Sequence, residues 1–159
     1  MLGLFKKIYS LVAPVTGRTV DLSDVPDDVF AKRLAGDGVA IESTGDTIVA
    51  PADGVLTLVF RTNHAFGVTL DNGLEVLVHI GIDTVELEGK GFERLAEQGT
   101  RVKAGDPVVR VDRDAILSSG RSLITPVLIT NINLIDNLNP IVDANVTSGI
   151  DRIITYSLK

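Results

Sequence analysis

Two histidines, His64 and His79, are the only imidazoles in the chain, and there is no cysteine. Nucleophilic or proton-transfer work near neutral pH therefore falls to these two residues. Thr62 lies two residues before His64 and would point to the same side in extended backbone. Its hydroxyl could hydrogen-bond an imidazole nitrogen and fix which nitrogen is free. Three chemistries use a histidine pair. A zinc site needs three or four ligands. Asp83 or Glu86 could join the pair, but there is no HExxH or HxH motif around either histidine. General acid–base catalysis needs a substrate cleft, and neither a serine elbow nor a glycine-rich phosphate loop marks one. Covalent phosphoryl relay needs only a neutral imidazole nucleophile, a second imidazole to donate to the phosphoryl oxygens, and an apolar rim against water. The relay fits these residues best.

The two histidines must be brought together by the segment from Thr62 to Glu86. Two apolar runs flank Asp71-Asn72-Gly73, a strong hairpin signal. With Asn72-Gly73 as the turn, His64 lies opposite Gly81 and diagonal to His79. With Asp71-Asn72 as the turn, His64 lies directly opposite His79. Either register sets the imidazoles on one face, within about 5–8 Å at Cβ. A three-residue loop would separate them unless a bulge restores parity. Leu74, Val76, Leu77, Val78 and Ile80 leave His79 as the polar exception in a strand covered on both faces.

Around this hairpin the chain reads as short β-rich runs separated by turn signals. Expected strands are Val15–Leu22, Val39–Glu42, Thr47–Val49, Gly54–Phe60, Phe66–Leu70, Leu74–Ile80, Pro107–Val111, Val127–Thr130, Ile141–Val146 and Ile150–Ser157. Short strands at regular spacing point to an all-β, antiparallel sandwich or barrel. Short helices are expected over Asp27–Leu34, after Pro26, over Gly91–Gln98, and over Arg113–Leu117. Ala13-Pro14-Val15-Thr16-Gly17 is echoed 37 residues later by Ala50-Pro51-Ala52-Asp53-Gly54, which hints at a duplicated β unit.

The bounds are consistent with this. At 159 residues the chain fits a single domain. Fifteen basic against twenty-one acidic residues give a net charge of −6, which argues against a nucleic-acid partner. Absence of cysteine excludes disulfides, thiolate metal sites and thiol nucleophiles, and fits a cytoplasmic protein. No apolar run is long enough to span a membrane. Residues 1–12 read as a short basic amphipathic helix, with Met1, Phe5, Ile8 and Val12 at helical spacing. It would lie on its own domain or make a peripheral contact with anionic lipid. Residues 13–159 form the single domain.

Several blocks carry a family resemblance. They are Asp24-Val25-Pro26-Asp27 through Phe30, Gly36-Asp37-Gly38, Ala50-Pro51-Ala52-Asp53-Gly54, Thr62-Asn63-His64-Ala65-Phe66, Val78-His79-Ile80-Gly81-Ile82-Asp83-Thr84-Val85 with Leu87, Gly89-Lys90-Gly91-Phe92, and Thr125-Pro126-Val127 with Asn131. With these blocks the chain resembles the glucose-type enzyme IIA component of the bacterial sugar phosphotransferase system. That resemblance implies a β-sandwich of duplicated halves. It implies that His79 takes phosphate on Nε2 from the histidine phosphocarrier protein and hands it to a cysteine of an enzyme IIB domain. His64 would be the supporting imidazole and Thr62 its orienting hydroxyl. Asp27 and Asp83 would flank an apolar docking face of Phe30, Leu34, Phe60 and Phe66. It further implies regulatory docking to targets such as glycerol kinase, permeases or adenylate cyclase. No cofactor is required, although His64 and His79 could share a zinc ion with a partner. Leu77 stands where many such proteins carry Phe.

Overall fold

The computed structural model describes residues 6–159, in which fourteen strands form antiparallel sheets. They are β1 (Tyr9–Val12), β2 (Gly17–Val20), β3 (Asp37–Ser43), β4 (Thr47–Val49), β5 (Gly54–Val59), β6 (Ala65–Leu70), β7 (Glu75–His79), β8 (Phe92–Arg94), β9 (Arg101–Val102), β10 (Pro107–Val111), β11 (Ile124–Ile129), β12 (Ile135–Pro140), β13 (Asn145–Val146) and β14 (Arg152–Leu158). The helices α1 (Asp28–Ala31) and α2 (Arg113–Ser118) are short. One sheet has eight strands in the order β13-β2-β3-β11-β7-β6-β5-β9, and two smaller sheets have the orders β1-β14-β12 and β4-β10-β8. None of the described helices is long and apolar enough to cross a membrane.

The strand orders resolve into two copies of one seven-strand unit. β4 to β10 form one copy, and β1–β3 with β11–β14 form the other, so the first copy is inserted in the second. The copies meet where β7 pairs with β11. The echoed Ala-Pro segments also join the copies by exchanging hydrogen bonds: Val12 N–H donates to Pro51 O, and Val49 N–H donates to Pro14 O. Gly17 and Gly54 occupy matching positions, where a Cβ would come 2.2 Å from Glu42 O and 2.3 Å from Thr69 O respectively. Only glycine lets the neighbouring strand approach that closely.

The main core fills the sandwich, with Val76, Val78, Phe66, Val127 and Ile129 contributed by the central strands. A second, smaller core lies on the outer face of the large sheet. There Val20, Leu22, Val25, Phe30, Ala40, Ile82 and Leu128 pack together beneath α1, with Leu77 against them. The alternation along β7 thus sends Val76 and Val78 inward and Leu77 and His79 outward, toward α1.

Three expectations change. Tyr9–Val12 is a strand, not part of a helix, so the sandwich begins before residue 13. It pairs with β14, buries Leu11 fully and stacks Tyr9 on Tyr156 at 5.3 Å, which is worth more than three turns of isolated helix. Residues 1–5 of the expected amphipathic segment lie outside the described residues. Gly91–Gln98 is not helical: Gly91 has φ +87, packs where a Cβ would meet Ile116, and immediately precedes β8, which pairs with β10. Of Ile141–Val146 only Asn145–Val146, β13, is a strand, and the longer β12 ends just before the range at Pro140.

Candidate functional site

The β6–β7 hairpin sets the first part of the site. Ala65 faces His79 and Thr69 faces Glu75, and Leu70 N–H donates to Leu74 O. Asp71-Asn72-Gly73 is therefore a three-residue loop, closed by Gly73 at φ +91. Neither two-residue register holds. The histidines meet all the same, with ring centroids 5.1 Å apart and the planes at 80°. No bulge interrupts the β6–β7 ladder. Parity is escaped because His64 is not in the strand. It ends the β5–β6 connection, immediately after Asn63, whose φ of 59 turns the backbone.

His79 ends β7 and is half-buried, with the Phe30 ring 4.9 Å away. Its Nδ1 lies 2.7 Å from the Gly81 carbonyl. A carbonyl only accepts, so Nδ1 carries the proton and Nε2 keeps its lone pair. Gly81 makes this possible. It has φ +82, and a Cβ there would stand 2.6 Å from both Ser122 O and Thr84 Cγ2. Burial pushes the His79 pKa down, and the Gly81 hydrogen bond and the Asp27 and Asp83 carboxylates oppose that.

His64 is the deeper ring, 3% exposed. The Thr62 hydroxyl lies 2.5 Å from its Nδ1, and the Phe60 ring meets it edge-on at 5.1 Å. Burial, and next the neighbouring His79, lower its pKa to about 4. Both rings are thus neutral near pH 7, one with a free Nε2 and the other able to present Nε2–H when Thr62 donates to its Nδ1.

Asp27 caps α1 by accepting from Val29 N–H at 2.9 Å, a contribution of about 1 kcal/mol to the turn that holds Phe30 over His79. Asp83 is exposed at φ 57, at the start of the 3₁₀ turn after β7. Of the expected docking residues, Leu34 is 71% exposed and Phe60 half-buried. Phe66 is fully buried in the main core, because the ladder turns it inward opposite Val78, so it offers no surface. Phe30 is also mostly covered and acts as a wall for His79. Val29 and Val85 are exposed apolar residues flanking the site that the sequence did not single out. Their apolar type alone carries no signal of exposure.

Two arginines also escaped sequence reasoning. Arg94 on β8 donates from Nε to Asn63 Oδ1 at 2.7 Å and from Nη2 to Phe60 O at 3.2 Å. Arg121 holds the loop after His79, donating to Asp83 O at 3.2 Å and to Glu86 Oε2 at 2.7 Å. Both act across more than thirty residues of sequence, where no local pattern links them. Five shallow grooves of about 260–560 Å³ lie elsewhere on the surface, and none of these five is lined by either imidazole.

A family model described as "phosphoenolpyruvate-dependent sugar phosphotransferase system, EIIA 1" matches residues 9–135. The chain belongs to this family. It is 39% identical to the glucose-specific EIIA component of Bacillus anthracis, over 98% of this chain and all of that one. It is 51% identical over 126 residues to the N-acetylglucosamine-specific EIICBA component of Klebsiella pneumoniae, covering 79% of this chain but only 19% of that longer protein. The glucose permease IIA of Mycoplasma capricolum superposes with a TM-score of 0.88 at 37% identity, over 96% of this chain and 97% of that one. The β-sandwich fold and a phosphotransferase-system role in sugar transport follow from this membership. An EIIA unit fused to EIIC and EIIB units, as the Klebsiella name states, supports a permease IIB domain as a partner.

Proposed function

We propose that this EIIA-family chain carries phosphate on Nε2 of His79, taking it from the histidine phosphocarrier protein and giving it to a cysteine of an enzyme IIB domain. The observation that carries this reading is the Nδ1–H of His79 bound to the Gly81 carbonyl, which aims an unprotonated Nε2 outward. The Nε2 lone pair attacks phosphorus as the bond from phosphorus to the donor's imidazole nitrogen breaks, and that nitrogen keeps the electron pair. In the second step a cysteine thiolate attacks, the Nε2–P bond breaks, and Nε2 recovers its lone pair. His64 stabilises charge on the equatorial oxygens by donating Nε2–H, while Thr62 donates to its Nδ1. The half-buried ring is the carrier and the buried ring the support, because only the former can reach a partner's phosphate.

Asp27 and Asp83 meet basic residues that accompany the incoming phosphate, and Val29, Leu34 and Val85 supply the apolar contact. Regulatory targets would use the same face and so respond to its phosphorylation. The described residues hold no group of three or more His, Asp or Glu placed for a metal. Zinc at this face would take His64 and His79 as two ligands of four, with the rest from a partner. The working compartment in this reading is the cytoplasm, where phosphoenolpyruvate is available.

The test is a two-stage transfer. Radiolabelled phosphoenolpyruvate, enzyme I and the histidine phosphocarrier protein should label the wild type and leave His79→Gln blank, and a IIB domain should then chase the label. Equal labelling of His79→Gln would overturn the assignment.

A further inference from the structure

We propose that Arg94 is a positioning residue for the transfer step, acting through the turn that carries His64. This rests on the phosphocarrier reading above. His64 lies just before β6, and the ladder holds only its carbonyl, which accepts from Ile80 N–H at 2.7 Å. Its place depends on the connection from Phe60 to Asn63. That connection closes on itself through Asn63 N–H to Phe60 O at 2.7 Å and Phe60 N–H to Ala65 O at 3.0 Å. Asn63 must hold a left-handed backbone, which Asn tolerates but does not impose.

The outside brace is Arg94. Its guanidinium spans the turn, with Nε–H on the Asn63 side chain and Nη2–H on the Phe60 carbonyl. One rigid fork thus ties the left-handed residue to the residue whose ring packs edge-on against His64. The brace comes from the small β4-β10-β8 sheet, so the His64 turn is anchored to a different sheet from the one that holds β5 and β6. Gln98, from the same segment, accepts from Val59 N–H at 2.9 Å and steadies the end of β5 just before the turn. The Arg94 side chain is 27% exposed, and its third nitrogen, Nη1, reaches only Glu97, at 3.6 Å. It makes no hydrogen bond to either imidazole, and so acts by placement.

A lysine keeps the charge but not the fork, so Arg94→Lys and Arg94→Ala should both loosen His64. The deciding experiment is a double-mutant cycle on phosphoryl transfer to a IIB domain, with the His64 ring protons followed by NMR. Arg94→Ala should accept phosphate to wild-type amplitude but pass it on about tenfold or more slowly. Arg94→Ala combined with His64→Gln should be no slower than His64→Gln alone, because the brace acts only through that ring. The His64 ring protons should lose the ring-current shift from Phe60 in Arg94→Ala. Arg94→Lys serves the same cycle should the alanine variant fail to fold. Rates that multiply in the double variant, or unchanged His64 resonances, would overturn the inference while leaving the phosphocarrier reading standing. Failure of the wild type to take up phosphate would instead remove that reading, and this inference with it.

Discussion

The two seven-strand copies offer the same backbone place twice and use it once. In one copy Ala65 faces His79, and in the other Gly38 faces Leu128 at the matching rung. One step further, His64 lies across from Ile80, as Asp37 lies across from Ile129. The residues before them, Asn63 and Gly36, both have positive φ. The chemistry does not match. Leu128 is fully buried in the outer core, and Asp37 accepts from Gly38 N–H and pairs with Arg33 at 3.0 Å. The difference follows from the connections. The β2–β3 connection is long, carries α1 and covers Leu128 with its own apolar residues. The β5–β6 connection is short and leaves the end of β7 open. The long connection's helix also supplies Phe30 and Asp27 to the other copy's histidine. The fold thus provides a frame, and unequal connections turn one of its two places into a site.

Making the copies alike should produce the largest effect. His79→Leu gives β7 what β11 has at the same rung. Phosphate labelling should vanish, while the unfolding free energy from urea titration should stay within about 1 kcal/mol of wild type, since Phe30 and Leu77 can accept an apolar neighbour. A collapse of stability would show that the histidine itself holds the outer core.

His64→Gln comes next. Onward transfer should slow about a hundredfold, the usual cost of one donor to a developing oxyanion. Its pH signature has a definite sign. The unfolded imidazole takes a proton near 6.5 and the folded one only near 4. This residue's contribution is therefore full above pH 6.5 and disappears as pH falls through that window, by roughly 3 kcal/mol at most. Denaturation at a series of pH values should show a flatter acid limb in the variant, and an unchanged limb would refute the buried neutral imidazole.

Gly81→Ala sharpens the contrast with Thr130, the corresponding residue beyond β11. The added Cβ meets Ser122 O and Thr84 at φ +82, so about 1–3 kcal/mol of stability should be lost. Phosphorylation of His79 should slow as the accepting carbonyl shifts. Thermal melting together with labelling rate checks both, and a melt at the wild-type temperature would count against the strain. Thr62→Val should be mildest, with transfer slowed roughly fivefold for a lost hydrogen bond of about 1 kcal/mol. Its stopped-flow transfer rate should therefore fall between those of wild type and His64→Gln.

Much of this was legible in the residue string. The duplicated Ala-Pro segments, the turn signals, and the pairing of the only two histidines with Thr62 are local features or counts. The hairpin register was not legible, because Asp71-Asn72-Gly73 supports two loop lengths and tertiary contacts decide. Asn72 reaches Tyr156 Oη at 3.0 Å, and its own side chain caps Leu74 N–H. Tyr9–Val12 misled because four residues fit a helical wheel as well as a strand, and only β14 settles which. Phe66 stood on the docking face only by family resemblance, and the ladder turns it inward opposite Val78. Arg94 and Arg121 were beyond reach, as their partners are brought near only by the finished sandwich.

The central claim is the identity of the accepting atom. Phosphorylated protein labelled with ¹⁵N in its histidines should show ³¹P–¹⁵N coupling to Nε2 of His79 alone, with Nδ1 still protonated and bound to the Gly81 carbonyl. Coupling to Nδ1 of His79, or to either nitrogen of His64, would contradict the account.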